Sequence, residues 1–211
     1  MNTHIFGSGS THIYIGIMSG EESEAEEVYA LAKQLTGADF TLIAFETENW
    51  NDELSPWSAP AVFGDEAFGG NAQKTLEVLK NDVVPTVESE IGRPERRFIG
   101  GYSLSGLFAL WCCYECDIFD GAASCSGSLW FPKLDEYIES RPVPIGKFYF
   151  SLGDKEPKTK NKVMSAVGDM TLKIYNKFSE ANADCKFESN NGGHFKDCAL
   201  RLAKGAAFLA E

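Results

Sequence analysis

Ser103 stands in Gly101-Tyr102-Ser103-Leu104-Ser105-Gly106, between two apolar runs, Arg97 to Gly101 and Leu104 to Tyr114. Small residues two positions either side of a serine suit a sharp strand-to-helix turn, because larger side chains there would strike neighbouring backbone. Such a turn strains the serine and projects its Oγ at the edge of a sheet, where it can attack an acyl carbon. The second small position holds Ser105 instead of glycine, with Gly106 directly after it. Serine is the next smallest choice, so the pattern is weakened and not broken. A serine at this place can also serve simply as a helix cap.

A nucleophilic serine needs a base, and the chain has three histidines. His4 precedes any predicted core element, and His12 opens a strand at the opposite edge of the sheet. His194 lies in Asn190-Asn191-Gly192-Gly193-His194-Phe195, between the last strand and the last helix, where two glycines let the loop bend towards Ser103. The acid that orients the imidazole should follow the strand ending Tyr149-Phe150-Ser151-Leu152-Gly153. Two candidates stand there, Glu156 first and Asp154 as the alternative, both in a charged loop, Asp154 to Lys162. The order serine, acid, histidine is the one this strand–turn–helix arrangement uses. An oxyanion would need backbone N–H donors. Leu104, at the start of a helix whose first donors lack partners, supplies one. The other is expected in Ser19-Gly20-Glu21, from the Gly20 amide, although Ser19 also reads as an ordinary cap.

These positions require a scaffold of alternating strands and helices. Strands are expected at His12–Met18, Asp39–Phe45, Arg97–Gly101, Gly121–Ser126, Lys147–Leu152 and Asp184–Glu188. Between them, apolar residues recur at helical spacing, as in Val28, Leu31, Ala32 and Leu35, or Val163, Val167, Met170, Ile174 and Phe178. A further helix carries Ala72, Leu76, Leu79, Val83 and Val87, with Pro85 expected to kink or end it. The alternation predicts an α/β fold, a mostly parallel sheet of about six strands with helices on both faces. Chemistry then gathers at the carboxyl ends of the strands.

The chain has 211 residues, 31 acidic against 19 basic, for a net charge of −12. That length suits one domain over residues 1–211. The acidic balance speaks against nucleic acid as a partner, since binding phosphates needs clustered Lys and Arg. No apolar run reaches the roughly 20 residues of a membrane span, and the first residues lack the pattern of a secretory leader. Cys112, Cys113 and Cys116 fall in one apolar segment and read as buried thiols; as metal ligands they lack a second pair at usable spacing. Reduced cysteines and no leader make the cytoplasm the expected location. No cofactor or metal is called for.

Taken together, the stretch from Gly100 to Leu110, then Phe119-Asp120-Gly121-Ala122 and Ser126-Gly127-Ser128-Leu129-Trp130, resembles the esterase group of the α/β-hydrolase superfamily. That group includes enterochelin-esterase-like and feruloyl-esterase-like enzymes. The resemblance is specific from Arg97 to Phe131 and weak before residue 95. It implies a three-layer α/β-hydrolase sandwich and a serine esterase working through an acyl-enzyme. The family's acid follows a glycine at the fourth position, which maps to Glu156. The N-terminal hairpin of larger members is missing, so a minimal sheet without a large cap is expected.

Thr47 to Gly70 shows neither helical nor strand period, yet holds Trp50, Trp57, Phe63 and Phe68. A loop this long within a compact domain is usually functional. Trp50, Trp57, Tyr102 and Trp130 are candidate substrate-binding residues, walling a pocket for a small-molecule ester; a hydrophobic plug over the sheet is the other reading. Acyl transfer to an alcohol, or a non-catalytic binding module on the same fold, would share much of this pattern. The module would need neither His194 nor Glu156. Gly7-Ser8-Gly9-Ser10 precedes its strand and is expected to be a flexible lead-in.

Overall fold

In the computed structural model, which describes residues 1–211, seven strands form one sheet in the order β1-β3-β2-β4-β5-β6-β7. They are β1 (Thr3–Gly7), β2 (Thr11–Met18), β3 (Phe40–Thr47), β4 (Arg96–Tyr102), β5 (Gly121–Cys125), β6 (Lys147–Gly153) and β7 (Asp184–Asn190). All neighbours pair in parallel except β1, which runs antiparallel to β3. The helices are α1 (Glu22–Leu35), α2 (Trp50–Glu53), α3 (Ala72–Val78), α4 (Val84–Ile91), α5 (Leu104–Glu115), α6 (Leu134–Glu139), α7 (Val167–Glu180) and α8 (Cys198–Ala210).

The inner strands divide their side chains between two cores, as a period of two requires. Ile13, Ile15 and Ile17 of β2 pack with Ala25, Val28 and Ala32 of α1 and Leu202, Ala206 and Leu209 of α8. Tyr14, Ile43, Phe45, Ile99, Phe148 and Phe150 face the larger core on the other side, against α3 to α7. Near-complete burial of Leu104 to Cys113 explains why α5 is apolar all round. Burial also pushes the Cys112 and Cys113 thiols above their ordinary range.

Three expectations need correction. The sheet has seven strands, not six, because Thr3–Gly7 adds an edge strand that is only half-buried and so lacks a strong apolar signal. His4 therefore belongs to the sheet, within 3.2 Å of Glu22 and 3.0 Å of Glu46. Gly7 to Ser10 is accordingly a connection between two strands, with Gly7 at φ 90° and Gly9 pressed against the backbone of Asp39 and Phe40. Third, Pro85 neither ends nor breaks its helix. A π-helical turn, Leu79–Val83, directly precedes α4, and the helix runs on through it with Pro85 near the start of α4. No helix of the molecule is long and apolar enough to cross a membrane.

Candidate active site

Ser103 occupies the corner between β4 and α5 with φ 57° and ψ −122°, a conformation disfavoured for any residue with a Cβ. The crowding that demands small neighbours is visible around it. A Cβ on Gly101 would lie 2.3 Å from Ser105 Oγ, and one on Gly106 would lie 2.8 Å from the Gly101 carbonyl oxygen. Ser105 itself is tolerated because it points at Gly16, where a Cβ would come within 2.7 Å of its Oγ. The glycine absent from the elbow is thus compensated by one on β2.

Ser103 Oγ is 3.0 Å from His194 Nε2, and His194 Nδ1 is 2.7 Å from Glu156 Oε2. The structure brings these three predicted residues together in the expected order. Glu156 sits in a short 3-10 turn after β6, Glu156–Lys158, and its other oxygen accepts from Gly153 N–H and Ser126 Oγ, both at 2.7 Å. Burial alone would raise its pKa, but hydrogen bonds from His194, Ser126 and Gly153 outweigh that and hold it below the ordinary carboxylate value. Asp154 lies apart from the imidazole. Its Oδ1 accepts from the Gly192 amide at 2.6 Å, so it shapes the histidine loop from outside.

Leu104 N–H opens α5, where the helix offers it no acceptor. Gly20 is a correction. Its amide faces Glu46 Oε1 at 3.4 Å, away from Ser103, with the glycine at φ 86°. Strand geometry points instead to Met18. Ser19 N–H donates to Thr47 on the β3 side, and successive amides of an extended strand alternate sides, so the Met18 amide faces β4 and the elbow. Met18 also lines the cleft beside Ser103.

That cleft has a volume of about 1050 Å³, and Trp50, Phe63, Phe68, Trp130 and Phe195 line it together with Ser103 and His194. A smaller lobe of about 360 Å³, walled by Ile17, Val28 and Leu202, meets it at Met18, Trp50 and Ser103. Phe63 and Phe195 are 52% and 92% exposed, and both border the cleft. Of the four aromatic residues singled out from sequence, Trp50 and Trp130 line the main cleft and Tyr102 the smaller lobe. Tyr102 also donates to the His194 carbonyl at 2.5 Å. Trp57 is a correction: its Nε1 donates to Pro132 O at 2.9 Å and its ring packs on Phe131 and Tyr137, away from the cleft. The segment around it is folded, with α2 capped by Asn49, a bridge between Ala59 and Phe68, and Asn71 Nδ2 bonded to Asp52.

Sequence reasoning missed Ser126, Met18, Phe195 and Arg201. Arg201 carried a readable signal, since a charged residue on the apolar stripe of a buried helix requires a partner. Ser126 opens a motif stretch, but its bond to Glu156, like the direction of the Met18 amide, depends on strands that meet only in the fold.

A family model described as "Putative esterase" matches residues 18–194. It thus begins well before the stretch, Arg97 to Phe131, where motif resemblance is strong. The uncharacterized protein YbbA of Bacillus subtilis is 26% identical over 168 residues, 75% of this chain and 66% of its own length. The chain thus spans just under two thirds of that relative. An IroE-like serine hydrolase from Shewanella oneidensis superposes with a TM-score of 0.78 at 15% identity, over 97% of this chain and 74% of that one. The siderophore hydrolase EstA of Aspergillus nidulans gives 0.72 at 18% identity, over 97% and 83%. At such identities the two structures establish the fold, an α/β-hydrolase-like sandwich.

Proposed function

Because the chain belongs to the esterase family, we propose that it hydrolyses carboxylic esters through an acyl-enzyme, with Ser103 as nucleophile, His194 as base and Glu156 as the orienting acid. The observation that carries this reading is the unbroken hydrogen-bonded series from Ser103 Oγ through His194 to Glu156, opening on a cleft of about 1050 Å³. Ser103 Oγ attacks the carbonyl carbon while its proton passes to His194 Nε2. The resulting oxyanion sits against the Leu104 and Met18 amides. As the intermediate collapses, the carbon–oxygen bond to the alcohol breaks and His194 returns the proton to that oxygen. A water molecule then repeats the sequence on the acyl group and frees Ser103. Glu156 stays ionised throughout, holding the imidazole in one tautomer and stabilising its protonated form.

The aromatic lining and the two exposed phenylalanines support a small-molecule ester with a bulky apolar group as substrate. Reaction with a fluorophosphonate probe tests the assignment: we expect one adduct, on Ser103, and none in Ser103→Ala. Equal labelling of the variant would refute it.

A further inference from the structure

The triad assigned above leaves one buried charge without a function. Arg201 lies on the inward face of α8 with 1% of its surface exposed. Its Nη1 donates to Glu156 Oε1 at 3.0 Å, Ser126 Oγ at 3.1 Å and the Tyr102 hydroxyl at 3.2 Å. Its Nη2 donates to the carbonyls of Gly193 at 3.1 Å and Asn191 at 3.3 Å, both in the loop leading to His194. One guanidinium therefore touches the acid, the loop that carries the base, and the residue preceding the nucleophile.

Stability gives a poor reason for this arrangement. Desolvating an ion pair can cost as much as the attraction returns, and apolar residues of similar volume often replace buried pairs without loss. The Arg201 Nε–H also remains without a partner. What the guanidinium does uniquely is divide the two oxygens of Glu156. Oε1 is occupied by Arg201, Ser126 and the Gly153 amide, while Oε2 meets only His194. The same cation ties Tyr102, whose hydroxyl in turn donates to the His194 carbonyl. A glycine at 153 is required for this meeting, since a Cβ there would lie 2.9 Å from both Arg201 Nη1 and Glu156 Oε1.

We propose that Arg201 is a positioning residue for the esterase reaction, holding acid, base loop and nucleophile elbow in one register and leaving a single Glu156 oxygen to His194. This inference rests on the triad reading given above. It carries an electrostatic consequence. Arg201 takes part of the negative charge that would otherwise act on the imidazole. The other charged or titratable groups around Glu156 and His194 are Asp154 and Lys155 on the acid's loop, Tyr102 on β4 and Cys198 on α8. None of these is ion-paired with Glu156, whose two ion-pair partners are His194 and Arg201.

With only three histidines in the chain, the His194 Nδ1–H bonded to Glu156 can be followed in the whole protein as a low-field NMR resonance, assigned by its loss in His194→Asn. Arg201→Met removes the charge and keeps most of the shape; we expect the resonance to broaden or vanish as Glu156 loses its fixed orientation. A single ammonium cannot reach five acceptors, so in Arg201→Lys kcat on a soluble butyrate ester should fall between about tenfold and a hundredfold with KM within about twofold. If Arg201→Met does not fold, Arg201→Lys carries the test through its kcat. An unchanged resonance in a folded Arg201→Met, or wild-type kcat in Arg201→Lys, overturns the proposal. A wild-type protein without Ser103-dependent turnover would count against the esterase reading alone, because the resonance reads the network without substrate.

Discussion

Glu156 and Phe195 both touch His194, one from each side, and they are held in opposite ways. The Glu156 side chain is 4% exposed, with Oε1 accepting bonds from three elements and Oε2 facing the imidazole. The Phe195 ring stands 5.0 Å from the imidazole and is 92% exposed, with water over most of its surface. The proposed reacting centre is over-determined by directional bonds, whereas the wall facing it is apolar and open. Hydrogen bonds specify position to a fraction of an ångström, which proton transfer needs. Apolar contact is non-directional and rewards any ligand that removes area from water. The molecule therefore separates the part that must be exact from the part that can adapt.

Substitutions at the two sides should differ in kind as well as in size. Ser103→Ala or His194→Ala should lower kcat on a butyrate ester by at least about 10⁴-fold with little change in KM. Glu156→Gln should follow, at about a thousandfold, while Asp154→Asn, which only loosens the Gly192 turn, should lose no more than about tenfold. The reverse order would exchange the two acids. Glu156→Gln should also change acid stability. A carboxyl depressed in the folded state contributes stability that is full above its ordinary value of 4.5 and lost as pH falls through the lowered one. The melting temperature of the wild type should thus fall more steeply below that value than that of the variant.

On the open side, Phe195→Ala should raise KM for a naphthyl ester about tenfold with kcat within about threefold. A fall in kcat without a change in KM would move Phe195 into the reacting centre and dissolve the contrast. The smallest effect on turnover is expected for Trp57→Phe. It forfeits the bond to Pro132 at about 1 kcal/mol of stability, read by denaturant melting, and leaves KM within about twofold.

Much of the candidate site's geometry was legible because its demands are local. The elbow is a steric problem solved within six residues, and Gly192-Gly193 announces the bend that carries His194. The longer helices and the strands β2 to β7 followed from sequence pattern for the same reason. The edge strand Thr3–Gly7 did not, since an element half-buried against a single partner needs no strong alternation. Trp50 and Trp57 could not be told apart in sequence. Both are aromatic residues of one irregular segment, and only the docking of Trp57 on Pro132, Phe131 and Tyr137 separates plug from wall.

The amino-acid sequence alone singled out Ser103, His194 and the chain order of the proposed site, because strained turns and strand–helix alternation are written in residues a few positions apart. Tertiary structure decided which carboxylate meets the imidazole, which amide faces the elbow and where the buried charge goes. Those choices depend on groups as far apart as Tyr102 and Arg201, brought within hydrogen-bonding distance only when β4, β6 and α8 pack. Burial then decides which bonds hold, since a polar group sealed from water must take the partner the fold presents to it.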